Sequence, residues 1–212
     1  AMTLNVCGNV TINSGGSINI ANTFGFPSKP AKMDVAGDIV VDGTLTIDAF
    51  AGGVDCGGSW ASNGTLSIIN VSVVTFNGLG SQTINSGGNS FQLVSIESGD
   101  YTALSNIIFN LKLEISGAAT FNTGATNTIS FPNSNSEFVN NGTFNFTTAG
   151  CELNYDGDDG NDFTNNGTIN MTAGGTLKIS SVSSPTIEAG AATFTAGSGT
   201  VEYDLLGGNQ AI

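Results

Sequence analysis

The sequence predicts an all-β chain coiled as a parallel β-helix, a β-solenoid of right-handed sense, and three observations lead there. Apolar and polar residues alternate with period two in short runs, as half-buried strands require. Gly, Asn and Ser break those runs at the short intervals of stacked or sandwiched strands. One unit, Gly-Thr-apolar-polar-apolar, recurs along the chain, and self-similarity with a period in the low twenties is the mark of a solenoid.

Taken in order, the alternating pairs are Val10/Ile12, Ile18/Ile20, Leu45/Ile47 and Leu66/Ile68. The run Phe109, Leu111, Leu113, Ile115 follows, and then Phe144/Phe146, Ile169/Met171 and Leu177/Ile179. Each run is too short to bury its apolar face alone, so coils must stack to share one core. The repeated unit stands at Gly43-Thr44, Gly64-Thr65, Gly142-Thr143, Gly167-Thr168 and Gly175-Thr176. Phe138-Val139-Asn140-Asn141-Gly142-Thr143 is echoed by Phe163-Thr164-Asn165-Asn166-Gly167-Thr168. No amphipathic helix and no domain boundary is evident, so residues 1–212 read as one solenoid segment. Two stretches read as excursion loops, at about 22–32 with two prolines and at about 51–62 with four glycines and the single tryptophan.

Composition narrows the function. The 212 residues hold 30 glycines and no histidine, and the net charge is −13 with only 10% charged residues. Four lysines supply all the positive charge, which excludes a nucleic-acid partner, since phosphates need several cations. No apolar run reaches the roughly 18 residues of a membrane-spanning helix, so no direct membrane insertion is expected. Without histidine, the Ser-His-Asp and Cys-His arrangements are impossible. Without histidine or arginine, the basic group of a β-helical lyase must come from a lysine, and Lys112 and Lys178 sit at outward strand positions. The expectation is a non-enzyme. Cys7, Cys56 and Cys151 form no C-x-x-C and read as small buried hydrophobes.

Candidate binding residues are few. Asp156, Asp158, Asp159 and Asp162 make an acidic, glycine-interrupted turn that could supply oxygen ligands to calcium. Read as an EF-hand loop from Asn154, it fails where Asp159 replaces the glycine and Asn165 the glutamate. Trp60 and Tyr101 read as loop aromatics able to stack on a sugar ring, with Asp55 beside Trp60. Tyr155 and Tyr203 read as core. Thr-x-Thr pairs at Thr44/Thr46, Thr126/Thr128 and Thr193/Thr195 do not recur once per coil, which argues against an ordered threonine face of the ice-binding kind.

The stretch Val74-Thr75-Phe76-Asn77-Gly78-Leu79-Gly80-Ser81-Gln82-Thr83-Ile84 and the stretch from Gly199-Thr200-Val201-Glu202-Tyr203-Asp204 through Gln210-Ala211-Ile212 are variants of one phrase. With Asn-Asn-Gly-Thr units between its copies, it resembles repeats in large secreted surface proteins of Bacteroidetes-type bacteria, adhesin-like and in some cases linked to gliding motility. The Asn-Asn-Gly-Thr units are also similar to filamentous-haemagglutinin-type β-helical adhesins, although the Asn-Pro-Asn secretion motifs are missing. The resemblance implies an extracellular, cell-surface location and a stiff rod contributing to adhesion. Its implied partners are surface glycans or other cell-surface molecules, and neighbouring repeats of a longer array from which this segment is drawn.

Overall fold

A computed structural model describes residues 2–21, 30–48, 52–69, 72–157, 163–180 and 191–203, and among them every regular element is a strand. The first three coils each supply three strands. They are β1 (Met2–Val6), β2 (Val10–Ile12) and β3 (Ser17–Ile20); β4 (Ala31–Val35), β5 (Ile39–Val41) and β6 (Thr44–Ile47); β7 (Gly53–Cys56), β8 (Trp60–Ser62) and β9 (Thr65–Ile68). The middle of the chain forms β10 (Val73–Phe76), β11 (Ser81–Asn85), β12 (Ser90–Ile96), β13 (Gly99–Ala103), β14 (Ile107–Ile115) and β15 (Ala119–Asn122). Then come β16 (Thr128–Phe131), β17 (Glu137–Asn140), β18 (Thr143–Asn145), β19 (Glu152–Tyr155) and β20 (Phe163–Asn165). The series ends with β21 (Thr168–Asn170), β22 (Thr176–Ile179), β23 (Thr193–Thr195) and β24 (Thr200–Tyr203).

All described pairings are parallel and join one coil to the next, so the chain is a β-solenoid. It has three faces. The second face is the nine-stranded sheet β2-β5-β8-β11-β13-β15-β18-β21-β23, which at ~4.8 Å per step spans roughly 40 Å. The first and third faces merge into one sheet because β12 and β14 each run across the corner between them. Ile107 and Ile108 of β14 pair with β16 on the third face, whereas Lys112 to Ile115 pair with β17 on the first. The third face begins as β3-β6-β9, and the side chain of Asn89, just before β12, accepts the Leu66 amide of β9 at 3.2 Å.

The repeated phrase now has a physical meaning at each letter. In Asn-Asn-Gly-Thr the first asparagine points inward, and Asn140 Nδ2 donates to Asn165 Oδ1 at 2.7 Å and to the Thr168 carbonyl at 2.9 Å. The second points outward, where Asn166 Nδ2 donates to Asn141 Oδ1 at 2.9 Å. The glycine is there for close approach. A Cβ on Gly167 would lie 2.1 Å from the Gly142 carbonyl oxygen, and one on Gly64 2.1 Å from that of Gly43. The threonine opens the next strand, so adjacent copies align as Thr44 with Thr65 and Thr143 with Thr168.

The interior is one continuous column. Aliphatic side chains such as Met33, Val35, Ile39 and Val41 fill the first coils, and aromatic rings fill the later ones. Phe138 lies 4.9 Å from Phe163 in a stacked pair, with Phe144 edge-on at 5.4 Å. Such pairs each contribute about 0.5–1.5 kcal/mol beyond area burial.

Two expectations need correcting. The stretch 51–62 is not an excursion, because it carries β7 and β8 in register with β4 and β5. Its glycines mark backbone stacked against backbone: a Cβ on Gly57 would meet the Ala36 carbonyl oxygen at 2.6 Å, and one on Gly53 that of Val73 at 2.0 Å. Of the stretch 22–32, Ala31 and Lys32 belong to β4, and 22–29 lie outside the described residues.

Candidate functional site

The sequence placed Trp60, Asp55 and Tyr101 on exposed loops, and strand alternation removes them from it. Trp60 opens β8 and points inward with 0% exposure, its ring edge-on to Phe76 at 6.1 Å and to Phe91 at 5.6 Å. Tyr101 stands at the centre of β13, also fully buried, and its hydroxyl accepts the Gly78 amide at 2.9 Å. Burial pushes the Tyr101 phenol up to about 12. Neither ring can meet a sugar. Asp55 occupies an outward position of β7 but is largely covered, and it pairs with Lys32 Nζ at 2.5 Å. The three residues therefore do not form one surface.

Of the acidic turn, Asp156 follows β19 as an exposed residue whose amide donates to the Phe131 carbonyl at 3.0 Å. Asp158, Asp159 and Asp162 lie outside the described residues. Among the described residues, no group of three or more acidic or cysteine side chains is placed to hold a metal ion.

The described lysines are all neutralised. Lys112 bridges Glu114 at 3.1 Å and Glu137 at 3.2 Å, and Lys178 reaches Glu152 at 3.2 Å and Glu202 at 4.0 Å across three coils. Burial works against the Lys112 charge, yet the hydrogen bonds it donates to its two glutamates, with their negative charge, outweigh it and raise its pKa. All three cysteines are free. Cys56 and Cys151 are buried as expected, and burial pushes the Cys56 thiol up to about 11. Cys7 departs from that expectation: it sits in the bend after β1, where no inward strand position exists, and is exposed.

The feature that sequence reasoning missed lies on the second face. Thr120, Thr143, Thr168 and Thr193 stand in register on β15, β18, β21 and β23, forming one outward column. Two residues further along the same strands, Asn122, Asn145, Asn170 and Thr195 form a second. The start of the asparagine column is tied head to tail: Asn145 Nδ2 donates to Asn122 Oδ1 at 2.9 Å, and Asn122 Nδ2 donates to Asp100 Oδ1. A search for Thr-x-Thr overlooks this array because three of its four rows read Thr-x-Asn. Tyr155, expected in the core, is there, its hydroxyl donating to the Ser136 carbonyl at 2.8 Å, while Tyr203 at the end of β24 is half-buried.

Comparison with protein-family models, curated proteins and solved structures finds no match to this chain.

Proposed function

We propose that this chain is a non-catalytic segment of a large bacterial cell-surface protein, a stiff rod that holds binding regions away from the cell and contributes to adhesion. The observation that carries the reading is the single core running coil upon coil from β1 to β24, with strand register kept at every described step but one, the shift between Phe91 and Leu93 where β12 and β14 turn the corner. A rod of this kind resists bending because successive coils are hydrogen-bonded to one another along two or three faces, and its stability is a sum of coil and neighbour terms. The acidic balance, with the described lysines paired to carboxylates, keeps such rods apart from one another and from anionic envelopes. The repeat phrase, similar to that of secreted surface proteins, supports the cell-surface location. An adhesive role through Trp60 is not part of the reading, since its ring is enclosed.

Immunodetection of the native polypeptide in whole cells, protease-shaved cells and medium tests the proposal. A large, protease-accessible surface species is the expected result. An intracellular species, or a free secreted one near the 21.4 kDa of this chain, would overturn it.

A further inference from the structure

We infer that the C-terminal half of the second face is a binding surface for ordered water, the face of an ice crystal. The argument goes beyond the rod and rests on how this face differs from the other two.

Charge is the first difference. Over the same coils the first face carries Lys112, Glu114 and Glu137, and the third carries Glu152, Lys178 and Glu202. The outward positions of β15, β18, β21 and β23 carry only threonine and asparagine. In a chain of net charge −13, these four strands carry no outward charge, and Asp100 of β13, in register with Thr120, is the carboxylate that borders them. A charged partner would gain nothing there, and neither would an apolar one, because the rows are hydroxyls and amides.

Regularity is the second property, one that the third face shares, since β16, β19, β22 and β24 also pair in register but carry charged residues outward. Four successive strands pair without a register shift, so the columns repeat at ~4.8 Å along the axis, and the two columns stand about 6.7 Å apart along each strand. These are close to the two oxygen repeats on a prism face of ice.

Preorganisation is the third. Threonine is branched at Cβ and holds few rotamers, Asn122 and Asn145 are fixed by the Asn145–Asn122–Asp100 chain, and Asn170 Oδ1 accepts the Thr172 amide at 3.0 Å. The threonine hydroxyls of the first column donate no hydrogen bond within the described protein, so each is left to water. Holding water at fixed spacing then costs little further ordering.

The test is thermal hysteresis and inhibition of ice recrystallisation by the purified chain, against a double variant Thr143→Tyr, Thr168→Tyr. A control, Thr75→Tyr with Ser95→Tyr, places the same rings on the outward positions of the first face. Circular dichroism confirms that each variant keeps the strand spectrum. The expected result is crystal faceting and measurable hysteresis in the wild type and the control, with loss of at least tenfold in the second-face variant. Absence of hysteresis and faceting in the wild type would overturn the inference, as would equal activity in all three proteins. Retention on crystalline cellulose or chitin without ice activity, removed by the second-face variant, would also overturn it and assign the face to a glycan.

Discussion

Gly167→Ala is the perturbation that tests most directly why the Asn-Asn-Gly-Thr phrase exists. The residue has no left-handed backbone to maintain; it stands where two coils approach most closely. The added Cβ would lie 2.1 Å from the Gly142 carbonyl oxygen and 2.8 Å from the Asn141 carbonyl carbon. Both are backbone atoms, so no side chain can swing aside and the coils must separate by close to an ångström. Three inter-coil hydrogen bonds lie at that point: Asn166 and Gly167 amides to the Asn140 carbonyl at 2.7 and 2.9 Å, and the Thr168 amide to the Gly142 carbonyl at 2.8 Å. At about 1 kcal/mol each, their weakening costs about 3 kcal/mol. With a urea slope of about 3 kcal/mol/M, the midpoint falls by about 1 M. Gly8→Ala is the matched control, because a Cβ there meets nothing within 4 Å, and its effect should stay within about 0.5 kcal/mol. Urea titration followed by circular dichroism reads both. Equal midpoints for the two variants would refute the close-approach account of the repeat glycine.

Trp60, the single tryptophan, should emit at short wavelength and resist iodide quenching in the native protein, because its ring is enclosed. Quenching as efficient as in unfolded chain would reverse its placement. Phe138→Ala should cost about 3–5 kcal/mol, since it empties the space between Phe131, Phe144 and Phe163; a midpoint within error of wild type would show that the ring column is not what holds those coils. Alkaline pH should destabilise in two stages. The buried Cys56 thiol moves from 9.0 to about 11 and the buried Tyr101 phenol from 10.0 to about 12, so the unfolded chain releases both protons first. Stability from these groups is intact below about pH 9 and is lost as pH rises toward 12, and Tyr101→Phe should flatten the upper stage. A Tyr101→Phe profile that matches wild type between those limits would contradict it. Finally, a thiol reagent should titrate one cysteine, Cys7, in the native protein and all three after unfolding; rapid native reaction of more than one would contradict the burial of Cys56 and Cys151.

The parts of the fold legible in the sequence were those set by local chemistry. Alternation in Ile107–Ile115 and its neighbours fixes strands, because a period of two can serve only a pleated surface. The echo of Phe138–Thr143 in Phe163–Thr168 fixes even the register between those copies, because asparagine ladders and glycine contacts work only when like stacks on like. The same local reading failed at Trp60. Gly52, Gly53, Gly57 and Gly58 look like loop residues in one dimension, and only the neighbouring coil shows that most of them are spaces for another backbone.

The tertiary structure alone decided which face each unit occupies. Gly43-Thr44 and Gly64-Thr65 open strands of the third face, whereas Gly142-Thr143 and Gly167-Thr168 open strands of the second. The related phrases from Val74 and from Gly199 begin on the first face and the third. Coil lengths differ, so sequence spacing does not carry the face: neighbouring columns step by 20 residues from Val54 to Val74 and by 24 from Leu153 to Leu177. The threonine and asparagine columns thus exist only after stacking, when residues scattered along the chain are brought to one surface at the spacing of the parallel hydrogen bond.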